Sequence, residues 1–261
     1  MATDVLCSTP RPGLAEIRFN RPHRLNAVIE SLFRETLEAL DAAERDRDVR
    51  VVIVTGEGRA FCVGADLKEH AKGERTIEQK REYLQLAQDV CARIRGLRKP
   101  VVAAVNGYAL GAGAEMAINA DFVLMAESAR LGFPEASIGT FIGGGLTRVL
   151  PQLVGLAKAR ELVFLGELID GREAKTIGLA AAVYPDASFR DDGYAFAERL
   201  AAQAPLSIAL AKEQLNHGSE RTYETALATE LDGVLACMTT RDWQEGIDAF
   251  AAKRKPAFRG E

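Results

Sequence analysis

The fold is set by a stretch in which an apolar strand pattern runs into a turn of small residues and then a helix: Val101-Val-Ala-Ala-Val-Asn-Gly-Tyr-Ala-Leu-Gly-Ala-Gly-Ala-Glu115. A second stretch has the same layout, Val51-Val-Ile-Val-Thr-Gly-Glu-Gly-Arg-Ala-Phe-Cys-Val-Gly-Ala-Asp-Leu-Lys68. Small residues let a ligand approach the backbone closely, and a helix N-terminus offers unpaired N–H groups. Together the two stretches predict a site that binds a developing oxyanion from two sides.

Strand and helix patterns alternate on either side of these stretches. The predicted elements are an edge hairpin (residues 4–8 and 14–19), a helix (26–45), a strand (50–55), a helix (82–97), a strand (100–105), a helix from residue 112 and a strand (121–125). The apolar runs of the later strands are typical of strands buried on both faces. Alternation of this kind predicts an α/β fold with a mainly parallel sheet.

After about residue 150 the pattern changes to helices. Apolar residues recur at helical spacing over residues 154–165, 189–202, 207–216, 223–238 and 243–252. We therefore expect an α/β core over residues 1–195, which carries the site, and a helical C-terminal region over residues 196–261.

Composition restricts the function classes. A chain of 261 residues with 48% hydrophobic and 27% charged residues is that of an ordinary globular protein with a large core. The formal net charge of −4 gives no overall field that attracts nucleic acid or an anionic membrane. Neither a signal peptide pattern nor an apolar stretch of membrane-spanning length is present, so a cytoplasmic location is expected.

Cofactor and metal motifs are missing from the sequence. The four cysteines and three histidines are dispersed, so neither a disulfide framework nor a metal site is expected. The glycines fit no dinucleotide fingerprint, phosphate loop or serine nucleophile turn. Cys62, beside the proposed oxyanion turn, is interpreted as a small buried residue, and Asp66 with Glu69 as a helix capping box.

Two glutamates lie in glycine-rich apolar sequence without charged neighbours, Glu115 and, in Leu131-Gly-Phe-Pro-Glu-Ala-Ser-Ile-Gly139, Glu135. Such carboxyl groups are expected to be buried. Desolvation then raises their pKa and lets them exchange protons near neutral pH. The pair predicts an acid/base enzyme.

These motifs resemble the crotonase superfamily, and specifically its enoyl-CoA hydratases. The resemblance covers nearly the whole chain and is carried by Phe61-Cys-Val-Gly-Ala-Asp-Leu-Lys68, Asn106-Gly-Tyr-Ala-Leu-Gly-Ala-Gly-Ala-Glu115, Phe133-Pro-Glu-Ala-Ser-Ile-Gly-Thr140 and Gly143-Gly-Gly145. It implies a spiral of β-β-α units, followed by a helical C-terminal region that assembles chains into homotrimers or homohexamers. It also implies hydration of 2-trans-enoyl-CoA to 3-hydroxyacyl-CoA.

The resemblance assigns roles to particular residues. The catalytic pair falls on Glu115 and Glu135, the two oxyanion-hole N–H groups on Ala65 and Ala112, and the N–H that positions water on Gly143. No metal and no cofactor is implied, because coenzyme A enters as part of the substrate.

Coenzyme A contacts fall on Arg24, Leu25, Lys68 and, from a neighbouring subunit, Lys253. The chain departs from the family at His23, where lysine is found; at Ala112, where glycine is frequent; and at Ile142, where proline is frequent. The last departure predicts a shift of the loop that carries Gly143. The charged residues 68–81 are expected to flank the acyl pocket.

Alternative functions remain open at this point. An enoyl-CoA isomerase can operate with one carboxylate at Glu135, and the presence of Glu115 favours the hydratase. Another acyl-CoA lyase of the superfamily is a further alternative. RNA binding, reported for some relatives of the fold, is disfavoured by the acidic balance and by the lack of a basic stripe with interleaved aromatic residues.

Overall fold

The computed structural model describes residues 3–70, 73 and 75–261. Of the charged flank expected at residues 68–81, positions 71, 72 and 74 lie outside the described part. The strands are β1 (Val5–Ser8), β2 (Leu14–Phe19), β3 (Val51–Gly56), β4 (Ala60–Cys62), β5 (Val101–Val105), β6 (Tyr108–Leu110), β7 (Phe122–Ala126), β8 (Arg130–Gly132), β9 (Ile169–Asp170) and β10 (Ala182–Tyr184).

The α-helices are α1 (Glu30–Arg45), α2 (Leu67–His70), α3 (Ile77–Gly96), α4 (Ala112–Ile118), α5 (Leu146–Val154), α6 (Leu156–Leu165), α7 (Gly171–Thr176), α8 (Phe189–Ala201), α9 (Pro205–His217), α10 (Tyr223–Met238) and α11 (Arg241–Ala251). Short 3-10 helices cover Pro22–Arg24, Pro134–Ile138 and Gly218–Glu220. No helix in the described part of the chain is long and apolar enough to cross a membrane.

The larger sheet has six strands in the order β1-β2-β3-β5-β7-β10. Only the β1–β2 pair is antiparallel; every other neighbouring pair is parallel. Both β3 and β5 are buried along their whole length, which explains their uninterrupted apolar runs. The predicted edge hairpin and the mainly parallel sheet are thus confirmed.

A smaller sheet, β4-β6-β8-β9, lies beside the larger one. Its first three strands are parallel, and each follows a strand of the larger sheet after a turn. Strand β3 leads into β4, β5 into β6, and β7 into β8, and a helical segment follows each pair. This is the β-β-α spiral that the family resemblance implies.

Two helix starts differ from the sequence prediction by four residues or more. Helix α1 begins at Glu30 rather than at residue 26, because Leu25 and Asn26 have left-handed backbone with φ of 53° and 56°. Helix α3 begins at Ile77 rather than at residue 82, where Thr76 and Gln79 cap its first turn reciprocally. The polar first turn of α3 hid its start from the apolar pattern.

The expectation that only helices follow residue 150 is wrong. Strands β9 and β10 complete the two sheets from that part of the chain. They were missed because strands of two and three residues are too short to show a period. Helix α9 docks on the α/β core through the buried Lys212, whose Nζ donates to Asp121 Oδ2 at 2.7 Å.

Candidate active site

The smaller sheet brings two glycine turns into contact. The turn after β4 contains Gly64 (φ +81°), and the turn between β6 and α4 contains Gly111 (φ +52°). A Cβ on Gly64 would lie 2.9 Å from Leu110 O and 3.4 Å from the nitrogen of Ala112. Since only glycine allows this approach, the N-terminus of α4 and residues 64–65 share one site.

Ala65 and Ala112 each present a backbone N–H at this contact. Val28 donates to Gly64 O at 2.8 Å and accepts from Asp66 N at 3.1 Å, so the N–H of the intervening Ala65 faces away from Val28. Ala112 is the first residue of α4, where an N–H has no intrahelical acceptor. Within the described residues neither N–H finds an acceptor. Two adjacent free donors can bind an oxyanion.

Glu115 lies in the first turn of α4 and is only 5% exposed. The N–H of Gly143 donates to its Oε1 at 2.5 Å. Burial raises the pKa of Glu115 to about 7, with the Gly143 hydrogen bond acting against this rise and the nearby Glu135 charge adding to it. A carboxyl group with this pKa can accept a proton at neutral pH.

Glu135 lies in the 3-10 helix Pro134–Ile138 and is 8% exposed. Its Oε1 lies 2.9 Å from the position that a Cβ on Gly111 would occupy, next to the free N–H groups. Burial raises its pKa, opposed by a hydrogen bond to its own backbone. Oε2 is buried without a hydrogen-bond partner in the described part of the chain. Both glutamates are therefore in environments that suit proton transfer.

The loop that carries Gly143 is closely fitted to Glu115. A Cβ on Gly143 would lie 3.1 Å from Glu115 Oε2 and 3.4 Å from Gln88 Nε2. The shift of this loop predicted from Ile142 does not separate Gly143 from Glu115, and Ile142 itself is buried. Sequence reasoning missed Gln88, because a polar residue on a partly exposed helix gives no signal of a site.

Two of the proposed coenzyme A residues lie beside the oxyanion turn. Val63 N donates to Leu25 O at 3.3 Å, so Arg24 and Leu25 flank that turn. Lys68, on α2, is exposed three residues after Ala65. Lys253 follows α11, and within the described residues no hydrogen bond or ion pair joins it to the site.

Cys62 and Asp66 have structural contacts. Cys62 is fully buried, and burial raises its pKa to about 12, as expected for an unreactive thiol. Asp66 Oδ1 accepts from Glu69 N at 3.3 Å, which supplies the predicted helix cap, and Oδ2 accepts from Arg21 Nη2 at 3.2 Å. Among the residues that the structure describes, no group of three or more histidine, cysteine, aspartate or glutamate residues could hold a metal ion.

Comparison with known proteins shows the family to which the chain belongs. The family model described as enoyl-CoA hydratase/isomerase matches residues 10–261. The chain is 36% identical over 246 residues to the 2,3-dehydroadipyl-CoA hydratase of Escherichia coli, covering 94% of each chain. It is 36% identical over 243 residues to the short-chain-enoyl-CoA hydratase of Clostridium acetobutylicum, covering 93% of this chain and 92% of the relative.

A solved structure resembles this chain in both sequence and fold. The crystal structure of enoyl-CoA hydratase from Bacillus anthracis superposes with a TM-score of 0.95 at 35% identity, covering 99% of this chain and all of the other. The spiral fold and these likenesses identify a crotonase-fold enzyme. Within that superfamily, the chain belongs to the enoyl-CoA hydratase/isomerase family.

Proposed function

We propose that this enzyme hydrates 2-trans-enoyl-CoA to 3-hydroxyacyl-CoA. The observation that carries the proposal is the position of two buried glutamates with raised pKa values around two free backbone N–H groups. An isomerase needs to move one proton, whereas hydration uses both a base for water and an acid for carbon. The Gly143 N–H on the Glu115 carboxylate supports a place for water at Glu115.

In the proposed reaction, the thioester oxygen accepts hydrogen bonds from Ala65 N–H and Ala112 N–H. Glu115 takes a proton from water, and the resulting hydroxide adds to C3 as negative charge moves onto the thioester oxygen. Glu135 then delivers its proton to C2, so one water has been added across the double bond. A proton passed from Glu115 to Glu135 restores the starting state.

Burial of the site strengthens the interaction of the two N–H donors with the developing oxyanion. A preorganised N–H donor in a site that excludes water contributes roughly 2.7–4 kcal/mol to stabilisation of a transition-state oxyanion. Because the turn after β4 packs closely on the N-terminus of α4, both donors are in place before charge develops on the substrate. The acid/base pair requires no metal or organic cofactor.

Coenzyme A is proposed to bind along Arg24, Leu25 and Lys68, with Lys253 contributed by a neighbouring subunit. Arg24 and Leu25 flank the oxyanion turn, and the exposed Lys68 follows Ala65 by three residues, which supports this placement. Lys253 is exposed, and within the described residues no hydrogen bond or ion pair joins it to the site of its own chain, which supports a contact with the ligand of another subunit.

Assembly into a homotrimer or homohexamer is part of the same proposal. It is supported by α10, on which no residue is buried although leucine, valine and alanine recur along its sequence. We divide the chain accordingly into a spiral core with the active site (residues 1–195) and a helical trimerisation region (residues 196–261). Nucleic acid and membrane are not proposed as partners. A cytoplasmic location remains a prediction for cell fractionation to test.

Enoyl-CoA isomerisation is the second candidate, since the matching family model covers both activities. Turnover of a panel of 2-enoyl-CoA and 3-enoyl-CoA thioesters separates the two. Hydration consumes the conjugated double bond of a 2-enoyl thioester, whereas isomerisation of a 3-enoyl thioester creates one. We expect hydration to dominate; dominant isomerisation, or no turnover of any 2-enoyl thioester, would reject the proposal.

A further inference from the structure

Asn119 connects the helix that carries Glu115 to the loop that carries Gly143. It is buried at the C-terminal end of α4. Its Nδ2 donates to the backbone oxygen of Glu115 at 2.9 Å and to that of Gly144 at 2.7 Å. One side-chain amide therefore links α4 to the loop, directly beside the hydrogen bond from Gly143 to the Glu115 carboxylate.

The loop has little freedom at this point. Gly144 has a φ of +59°, and a Cβ there would lie 2.9 Å from both Cys91 Sγ and Glu115 Cβ. The close approach of Cys91 and Glu115 on one side, and the Asn119 amide on the other, fix the position of Gly144. Loss of the amide would leave the Gly144 carbonyl without this buried donor, and moving the loop toward another donor becomes favourable.

We propose that Asn119 is a positioning residue: by holding the Gly144 carbonyl, it keeps the Gly143 N–H on the Glu115 carboxylate and so sets the pH range in which Glu115 accepts a proton. The catalytic consequence rests on the proposed hydration, but the effect on Glu115 itself does not. Asn119 donates to two backbone oxygens and touches neither reacting carboxylate, so it acts by holding the loop against α4.

The electrostatic surroundings of Glu115 make the Gly143 hydrogen bond decisive. The titratable groups that face it from neighbouring elements are Glu135, Cys91 on α3 and Cys62 on β4. Burial raises the pKa of both thiols, so they are neutral, and Glu135 adds only negative charge.

Among the described residues, no cation contributes to the pKa of Glu115, the arginines of α3 included, so none offsets the loss of the Gly143 contact. Helix α5 packs on α4, but its Arg148 pairs at the surface with Glu220 at 2.9 Å. Strands β5 and β7, also packed on α4, have no ionisable side chains. Within the described residues, the Gly143 N–H is thus the group that lowers the pKa of Glu115 against burial.

The test replaces Asn119 by leucine, which has a similar size but no donor. Titration of the Glu115 carboxyl by NMR of protein labelled with ¹³C-glutamate, assigned with Glu115→Gln, should show an upward move of about one pH unit in Asn119→Leu. The acid limb of the pH profile of kcat/KM should move with it, and kcat/KM at pH 7 should fall about fivefold, since the deprotonated fraction of Glu115 falls by that factor.

Thr36→Val is the matched control. Thr36 is buried on α1, where its Oγ1 donates to Leu32 O at 2.6 Å, so the variant also loses a buried hydrogen bond. It should lower the melting temperature without moving the Glu115 titration. If Asn119 had a purely structural role, Asn119→Leu would likewise lower the melting temperature and leave the Glu115 titration unchanged. That result in folded Asn119→Leu would overturn the proposal.

The unaltered protein supplies a second test that needs no folded variant. The Gly143 amide resonance should move with the titration of Glu115, and the Asn119 side-chain amide protons should exchange slowly with solvent. Failure of either result would also overturn the proposal. If the unaltered protein hydrates no enoyl-CoA, the proposed function fails, whereas these NMR measurements still decide the role of Asn119.

Discussion

Helices α4 and α10 show how differently the two parts of the chain use apolar sequence. In α4 every residue from Gly113 to Ile118 is buried, including the carboxylate of Glu115. In α10, which is more than twice as long, no residue is buried, and Leu231 is 60% exposed. The α/β core therefore completes its packing around the two glutamates within one chain, whereas the C-terminal region leaves an apolar surface exposed, as the proposed assembly requires.

The contrast also concerns what each region stabilises. A buried carboxylate without a neutralising partner costs folding free energy, because water would solvate it better. Exposed apolar side chains on a helix are in contact with water in the isolated chain. Their burial against a second copy stabilises the assembly. Substitutions in the two regions should therefore affect different measurements, catalysis in α4 and association in α10.

The largest expected effect is on the oxyanion N–H at the start of α4. Ala112→Pro removes that N–H and should reduce kcat roughly 10²–10³-fold, while Ala112→Gly keeps it and should be tolerated. Steady-state kinetics of both variants measures the difference, with circular dichroism to verify that each is folded. A folded proline variant with full activity would show that this N–H does not bind the substrate oxygen.

Next in size is the cost of burying the Glu115 carboxylate. With its pKa raised from 4.5 to about 7, the folded state holds this proton more tightly than the unfolded chain does. Its contribution to stability is therefore fully present below pH 4.5 and lost as pH rises through about 7. The loss amounts to about 3 kcal/mol, which Glu115→Gln avoids.

Denaturant unfolding at two pH values tests this cost. Glu115→Gln should be more stable than the unaltered protein at pH 8 and close to it at pH 4. Glu127→Gln, at an exposed position, serves as the control and should show no such difference. Equal unfolding free energies of Glu115→Gln and the unaltered protein at pH 8 would mean that burial does not perturb Glu115.

The third expected effect is on association of the chains, which substitution on the exposed face of α10 should weaken. Leu231→Asp places a charge in the proposed interface and should weaken assembly by roughly ten- to a hundredfold in dissociation constant, since burial of a leucine contributes about 1.5–3 kcal/mol. Leu84→Asp is the matched control, because Leu84 on α3 is also 60% exposed. Analytical ultracentrifugation should show dissociation for Leu231→Asp alone; the same oligomer for both would contradict the proposed interface.

The smallest effects should come from the proposed coenzyme A contacts. Lys68→Ala and Lys253→Ala remove exposed charges that bind ground state and transition state alike, so KM should rise about fivefold with little change in kcat. Arg172→Ala, which removes an exposed arginine near Glu127, is the control. An unchanged KM in both lysine variants would refute their placement.

The sequence was sufficient for the elements that are long or strongly apolar. Strands such as β3 and β5 were found because they are buried on both faces and so have continuous apolar runs. The short strands β4, β6 and β8 gave no periodic signal, although they place the oxyanion turns. Only the family resemblance implied them.

Some residues of the site could likewise be predicted from the sequence, whereas others could not. Glu115 and Glu135 stood out because a carboxylate in apolar sequence is unusual, and both are buried. The contacts of Asn119 and Gln88 depend on a loop that is separated in sequence from α3 and α4. No local pattern encodes how such a loop packs on a helix, so these residues required the structure.

The most direct test of the central claim measures two reactions in two variants. Glu115→Gln and Glu135→Gln keep side-chain size but remove proton exchange, so each should reduce hydration by roughly two orders of magnitude or more. Migration of a 3-enoyl double bond needs no water, so any isomerase activity should be lost in Glu135→Gln and partly retained in Glu115→Gln. Full hydration activity in Glu115→Gln would contradict the two-glutamate mechanism.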